Sequence, residues 1–131
     1  MNTWEKGLLL AVAGTMLGMA IPTQAATIDA KKMNDGYFIS IEGNINWADG
    51  ATLANVIKKN HITNGEVFLN SGGGLTVPGL EIANIIKDKG FETHVASGDR
   101  CYSMCAIMWL SGKTRHVGRA AVIGFHGISN N

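Results

Sequence analysis

The amino-acid sequence predicts an α/β protein of repeated β-α units around a mostly parallel sheet, and three observations support this. Runs of apolar and β-branched residues recur at positions 37–41, 67–69, 91–96 and 121–125, as expected of strands. Segments with a helical spacing of apolar residues separate these runs. The connections are short. Such alternation places helices against a parallel sheet and brings the carboxyl ends of the strands to one edge.

Three helices are predicted from apolar residues that recur every three or four positions. The first carries Leu53, Val56 and Ile57 on one face. The second carries its apolar residues between positions 80 and 86 and ends at Gly90, because glycine is common just past helix C-termini. The third, residues 104–110, is apolar on all sides, which predicts a fully buried helix.

The N-terminal residues 1–25 have the pattern of a secretory signal peptide. Lys6 precedes an uncharged apolar run of 15 residues (7–21), and small residues follow at the cleavage position. The run is shorter than the roughly 20 residues that span a bilayer, so we expect cleavage after Ala25, although a retained anchor is the alternative. The mature domain, residues 26–131, is then expected in an oxidising compartment, the bacterial periplasm, free of the membrane.

The composition excludes several partners. The formal net charge is +1, and no block of like charges occurs, so neither nucleic acid nor an anionic membrane surface is an expected partner. The glycine-rich loop at residues 70–74 lacks the lysine and hydroxyl residue of a phosphate-binding loop. We therefore expect no nucleotide, no metal and no other cofactor.

Three chemically interesting features fall at the same edge of the predicted sheet. The loop at residues 70–74 and His126 each follow a strand, and Ser103 begins a helix after a strand and loop. A serine nucleophile needs a base within hydrogen-bond reach and donors for the oxyanion, which His126 and backbone N–H groups can provide. Each feature also has a structural explanation, as a helix cap, a turn or a buried histidine. No GxSxG signature surrounds the serine.

The stretch 70–127 resembles the proteolytic subunit of the Clp protease and its signal peptide peptidase A-like relatives, in the ClpP/crotonase superfamily. That family has an N-S-P-G-G loop after a strand, and residues 70–74 of this chain read N-S-G-G-G. The helix that follows carries an early glycine in the family, matched here by Gly79. The Y-S-M run at 102–104 matches the family's nucleophile motif.

The resemblance implies roles for individual residues. His126 ends the run A-V-I-G-F-H, which is similar to the family's strand-end V-M-I-H with a small shift in spacing. Ser103 would be the nucleophile and His126 its base. The N–H groups of Gly74 and Met104 would form the oxyanion hole, and Gly73 with Gly74 would hold a peptide substrate in an extended pose.

The sequence departs from the family at the third catalytic residue, an aspartate. The family's aspartate lies well downstream of the histidine, whereas this sequence continues for five residues past His126. The expectation is a domain truncated at its C-terminus. It could be a relic, a Ser–His dyad, a site that recruits Asp99 or Asp49, or a site completed by a partner chain.

Cys101 and Cys105 bracket the serine and are disulfide candidates in an oxidising compartment. Two buried apolar cysteines are the alternative. Zinc is less favoured, because His116 and His126 are spaced unlike zinc-finger ligands. His116 lies in a basic stretch interpreted as solvated surface, and His94 is interpreted as solvent-facing.

Two functions of different classes follow from the resemblance. The first is a periplasmic, ATP-independent serine hydrolase, most simply a peptidase with a peptide or protein substrate. The second is a catalytically degenerate domain that binds peptides or a partner protein. Acyl-CoA chemistry, known in the crotonase branch, is disfavoured by the predicted export. Assembly into a homo-oligomer, or with a partner chain, is a further expectation from the family.

Overall fold

The computed structural model describes residues 24–127, so the predicted signal peptide lies almost wholly outside the described residues. Within residues 24–127, no helix is long and apolar enough to cross a membrane. The elements follow in the order β1 (Thr27–Met33), β2 (Gly36–Glu42), α1 (Asp49–Lys59), β3 (Gly65–Asn70), α2 (Thr76–Lys89), β4 (Glu92–Val95), β5 (Arg100–Tyr102), α3 (Met104–Leu110), β6 (Arg115–Val117) and β7 (Val122–Gly124).

The strands form one sheet of five and a separate pair. The larger sheet has the order β1-β2-β3-β4-β6, in which β1 is antiparallel to β2 and every other pairing is parallel. The pair β5-β7 is also parallel and is joined to the end of β3 through a bridge between Ser71 and Cys101. The predicted α/β class with a mostly parallel sheet is therefore confirmed.

One face of the larger sheet carries the core. In β2, β3 and β4, alternate residues are buried there, as expected from the two-residue period of a strand. They pack against the apolar faces of the helices, and the cluster is centred on Ile39, Ile41, Val67, Leu69, Leu53, Ile82 and Ile86. Gly90 ends α2 in a left-handed conformation, as predicted.

The opposite face of the sheet carries a row of stacked rings. Phe38, Phe68, His94 and His116 come from four neighbouring strands, with centroids 4.5, 4.4 and 4.2 Å apart in that order. The interpretation of His94 as solvent-facing is wrong, because its side chain is only 18% exposed. Burial and the neighbouring His116 lower the pKa of His94, and the carboxylates of Glu66 and Glu92 oppose this.

The third helix, α3, differs from its prediction. Cys105, Ala106 and Met108 are buried, but Ile107 and Leu110 are exposed. The helix is therefore buried on one side only. Its exposed side matters for the site, because Ile107 lines the cavity beside Ser103.

Candidate active site

Ser103 alone makes the sharp turn from β5 into α3. Its backbone lies at φ +56° and ψ −122°, a conformation that a non-glycine residue rarely adopts. The turn is held on both sides, because the Ser103 N–H donates to the Gly124 carbonyl at 2.9 Å and the Ser103 carbonyl accepts from Ala106 at 2.9 Å. Strained residues of this kind persist where the surrounding structure fixes them, and they concentrate at functional sites.

Cys101 and Cys105 form a disulfide across this turn, with their Cα atoms 5.1 Å apart. Both cysteines are fully buried. The bridge joins the strand before Ser103 to the first turn of the helix after it. It therefore restricts the backbone on the two sides of the strained serine.

The glycine loop packs directly on the serine turn. A Cβ atom at Gly73 would stand 2.8 Å from both the Ser103 Cβ and the Tyr102 carbonyl oxygen, so only glycine fits there. Hydrogen bonds from Ser71 to the Arg100 carbonyl and from Tyr102 to the Ser71 carbonyl tie the loop to β5. The loop and the serine turn are thus one structural unit.

Gly74 presents a free backbone N–H. The residues on either side of it bond to Ile45: Ile45 donates to the Gly73 carbonyl at 2.8 Å, and Leu75 donates to the Ile45 carbonyl at 3.0 Å. Within residues 24–127, the N–H of Gly74 itself has no acceptor. The N–H of Met104, the first residue of α3, likewise has none there, as expected at a helix start.

The structure brings the predicted site residues together around one cavity. Ser103, His126, Gly74 and Met104 all line a cavity of about 140 Å³. Sequence reasoning missed its remaining lining residues, which are Thr76, Ile107 and Phe125. Exposed apolar side chains on a short helix and at a strand end have no distinctive signal in a single sequence.

A second, larger depression meets this cavity at Gly74. It has a volume of about 570 Å³ and lies between the glycine loop and the segment 44–47. Gly73, predicted to bind substrate, lines this depression rather than the serine cavity. Trp47 also lines this depression and is 70% exposed.

One ring nitrogen of His126 is paired with the backbone of the next residue. Its Nδ1 lies 3.0 Å from the Gly127 carbonyl oxygen. Because a carbonyl only accepts hydrogen bonds, Nδ1 must carry the proton in this contact, which leaves the Nε2 lone pair available. A carboxylate has this orienting role in the Ser-His-Asp triad.

Neither aspartate considered as the missing acid lines the serine cavity. Asp49 is buried at the start of α1, where its carboxylate accepts hydrogen bonds from the backbone N–H groups of Asn46 at 2.6 Å and Ala26 at 3.2 Å. Asp99 lies in the turn before β5, where its backbone bonds to Ala96 and Val122. Within residues 24–127, the cavity has no acidic side chain in its lining.

Two solved structures share this architecture. A membrane-bound stomatin-specific protease aligns with 63% of this chain and 44% of its own length, with a TM-score of 0.50 and 11% identity. A probable enoyl-CoA hydratase from Mycobacterium tuberculosis H37Rv aligns with 67% of this chain and 48% of its own, with a TM-score of 0.50 and 14% identity. These likenesses show the ClpP/crotonase-type fold that the sequence predicted.

The aligned part of each of those two proteins is less than half of its length. No known protein family and no curated protein matches the sequence. The comparisons therefore define the fold, and the chemistry has to be argued from the site.

We predict that Gly73→Ala destabilises the protein far more than Gly98→Ala. Both glycines have positive φ, at +100° and +89°, so each substitution adds backbone strain of about 1–2 kcal/mol. Only Gly73 has no space for a Cβ, whereas Gly98 has no atom within 4 Å of that position. Overpacking adds about 1–3 kcal/mol at Gly73. Urea unfolding of the two variants measures the difference, and equal losses would contradict the close packing of the loop.

We predict that the Cys101–Cys105 disulfide stabilises the fold by about 2 kcal/mol, the value expected for so short a loop. The measurement is the unfolding free energy of the oxidised protein against the reduced protein. A Cys101→Ala, Cys105→Ala double variant serves as control, because it should not respond to reductant. Equal stability of the oxidised and reduced wild-type protein would show that the bridge does not restrain this turn.

Proposed function

We propose that this protein is a serine hydrolase that acts on peptides, with Ser103 as nucleophile and His126 as general base. The observation that carries the proposal is the strained turn of Ser103 in a cavity lined also by His126, Gly74 and Met104. Within residues 24–127, the backbone N–H groups of the last two have no acceptor. Strain at a serine between a strand and a helix exposes its hydroxyl to a substrate.

The proposed reaction is acyl transfer in two stages. The Ser103 Oγ attacks the scissile carbonyl carbon, and its proton passes to Nε2 of His126. The negative charge on the former carbonyl oxygen is stabilised by the N–H groups of Gly74 and Met104. As the C–N bond breaks, His126 returns the proton to the leaving amine, and water then hydrolyses the Ser103 ester by the reverse sequence.

The orientation of His126 by a backbone carbonyl has a consequence for rate. The Gly127 carbonyl selects the required tautomer but does not carry the charge that a carboxylate offers to an imidazolium. In triad enzymes, loss of that carboxylate lowers kcat by about four orders of magnitude without abolishing catalysis. We therefore propose a slow hydrolase that acts through a dyad, unless a partner chain supplies an acid.

The depression beside the glycine loop supports a peptide as the substrate. Gly74, which lines this depression, already forms a parallel bridge with Ile45. An extended peptide bound along this loop would place its backbone next to Gly74 and its scissile carbonyl in the serine cavity. Recognition through main-chain hydrogen bonds is general for extended peptides.

A second candidate function is a peptide-binding module without turnover. The absence of an acidic side chain from the lining of the serine cavity, within the described residues, favours it. The exposure of His126 favours it too, since a solvated base is less well fixed. The same glycine loop and depression would then hold the ligand, and Ser103 would be a remnant.

Export is part of the proposal, and one contact supports cleavage after Ala25. The Ala26 N–H is buried and donates to the Asp49 carboxylate at 3.2 Å. Asp49 is 1% exposed, and within residues 24–127 the hydrogen bonds that its carboxylate accepts come from the backbone N–H groups of Ala26 and Asn46. Cleavage at that bond would convert the Ala26 amide into an ammonium group and complete a buried ion pair.

We predict that a fluorophosphonate probe labels the purified protein and that Ser103→Ala abolishes the labelling. His126→Ala should slow it by at least about 10²-fold, the usual contribution of a general base. Ser97→Ala is the matched control, because Ser97 is an exposed loop serine outside the cavity. Labelling that survives Ser103→Ala would remove this residue from the mechanism. No labelling of folded protein would favour the binding module.

We predict that Asp49→Asn destabilises a chain beginning at Ala26 more than one that retains Gln24 and Ala25. Removing one partner of a buried ion pair costs about 3–5 kcal/mol, whereas the longer chain loses only hydrogen bonds. The unfolding free energies of four proteins, the two chain lengths each with and without Asp49→Asn, form a thermodynamic cycle that gives the coupling energy. A coupling near zero would contradict the ion pair, and the intact mass of secreted protein tests the cleavage position separately.

A further inference from the structure

The outer face of the sheet gathers metal-binding side chains at its β4–β6 edge. Glu92 and His94 lie two residues apart on β4 and therefore point to the same face. Strand β6 pairs with β4 in parallel and places His116 directly opposite His94. Glu66 lies opposite Glu92 on β3. Four side chains of three strands thus share one small area of this face.

The ligand atoms of three of these side chains are already close. One imidazole nitrogen each of His94 and His116 and a Glu92 carboxylate oxygen lie within 4.8 Å of one another. The His116 Nε2 is 2.9 Å from Glu92 Oε2, and the His94 Nε2 is 4.0 Å from the same oxygen. A carboxylate oxygen of Glu66 lies 3.6 Å from the His94 Nε2.

One buried atom in this cluster has no hydrogen-bond partner within residues 24–127. The His94 Nε2 is buried and makes no hydrogen bond, although carboxylates stand nearby. Buried polar atoms are almost always satisfied, so an exception needs an explanation. The phenyl ring of Phe68 and the imidazole of His116 stack on the two faces of the His94 ring and fix it in place. The His94 Nε2 lies on the side of the ring that faces the two glutamates.

We propose that Glu92, His94 and His116 bind one divalent transition-metal ion, with zinc the best match, and that Glu66 completes or supports the site. Two imidazoles and a carboxylate are ligands typical of zinc, whereas calcium and magnesium prefer oxygen ligands alone. The ion would give the His94 Nε2 a partner. Its two positive charges would also balance the carboxylates of Glu66 and Glu92.

Binding requires a defined local adjustment. Around a tetrahedral zinc with bonds of about 2.1 Å, ligand atoms lie about 3.4 Å apart. The His94 Nε2, now 4.0 Å from Glu92 Oε2, must therefore move closer to that oxygen, and the His116 Nε2, now 2.9 Å from it, must move slightly away. The two imidazole rings are now stacked at 9° and must tilt so that both lone pairs point at the ion. His116 and Glu92 are 45% and 41% exposed, which leaves them free to move towards the fixed His94.

The site is separate from the serine cavity. None of its four side chains lines that cavity, and they lie on the face of the sheet opposite the core. The sequence did not indicate this site because one of its ligands, His116, lies on the short strand β6. The basic stretch around His116 looks like solvated surface until the pairing of β6 with β4 places it beside His94.

The test is a zinc titration of the tag-free purified protein in competition with a chromophoric chelator. We expect one zinc ion per chain with a dissociation constant of about a micromolar or tighter. His94→Gln and His116→Gln should each weaken binding at least tenfold, and Glu92→Gln should weaken it by a smaller factor. His61→Asn is the matched control, because His61 is exposed at the end of α1 and away from the cluster.

Two further measurements keep the outcome unambiguous. Circular dichroism and urea midpoints without metal check that each variant is folded. Because His116 is exposed, His116→Gln should leave the stacking of His94 on Phe68 in place. A cobalt(II) adduct should show the intense visible bands of a tetrahedral site in the wild type and not in His116→Gln. No stoichiometric binding, or binding unchanged in both histidine variants, would overturn the proposal. Ser103→Ala should bind zinc normally, whatever the fate of the hydrolase proposal.

Discussion

The close packing of the glycine loop on the serine turn is the contact on which the rest of the site depends. Gly73 has no room for a Cβ because the Ser103 Cβ and the Tyr102 carbonyl stand where that atom would lie. The same loop is fixed on its other side by hydrogen bonds to Ile45. These bonds use the neighbours of Gly74, and within residues 24–127 its own N–H has no acceptor. A strained serine and a free donor thus result from one arrangement of backbone, and the disulfide across Ser103 restrains it from the opposite side.

The sequence predicted the parts of the fold that have a strong period. Strands β2, β3 and β4 carry buried apolar residues, and α2 ends at a glycine, so their patterns were clear. Strands β5 and β6 were missed because each has three residues, and a run such as Arg115–Val117 has no apolar alternation. Strand β1 was missed because its exposed edge carries lysines, which are typical of protected sheet edges.

The candidate sites were predictable only in part, because some of their residues become neighbours only when distant strands pair. Gly74, Ser103, Met104 and His126 were predicted as site residues from the resemblance to the ClpP/crotonase superfamily. The structure brings these residues to one cavity. Their catalytic roles remain a proposal, since likeness to distant structures shows the fold alone. The histidine pair on the outer face could not be found from sequence, because His94 and His116 become neighbours only through the pairing of β4 with β6. Contacts between strands that are distant in sequence carry no local signal.

The most direct measurement is a crystal structure of the protein after reaction with a peptidyl phosphonate. The account predicts that phosphorus is bonded to the Ser103 Oγ and that its anionic oxygen accepts hydrogen bonds of about 2.7–3.1 Å from the N–H groups of Gly74 and Met104. The peptide should run along the depression beside Gly73. An adduct at another residue, or a phosphonate oxygen turned to solvent with both N–H groups unused, would contradict the proposed site.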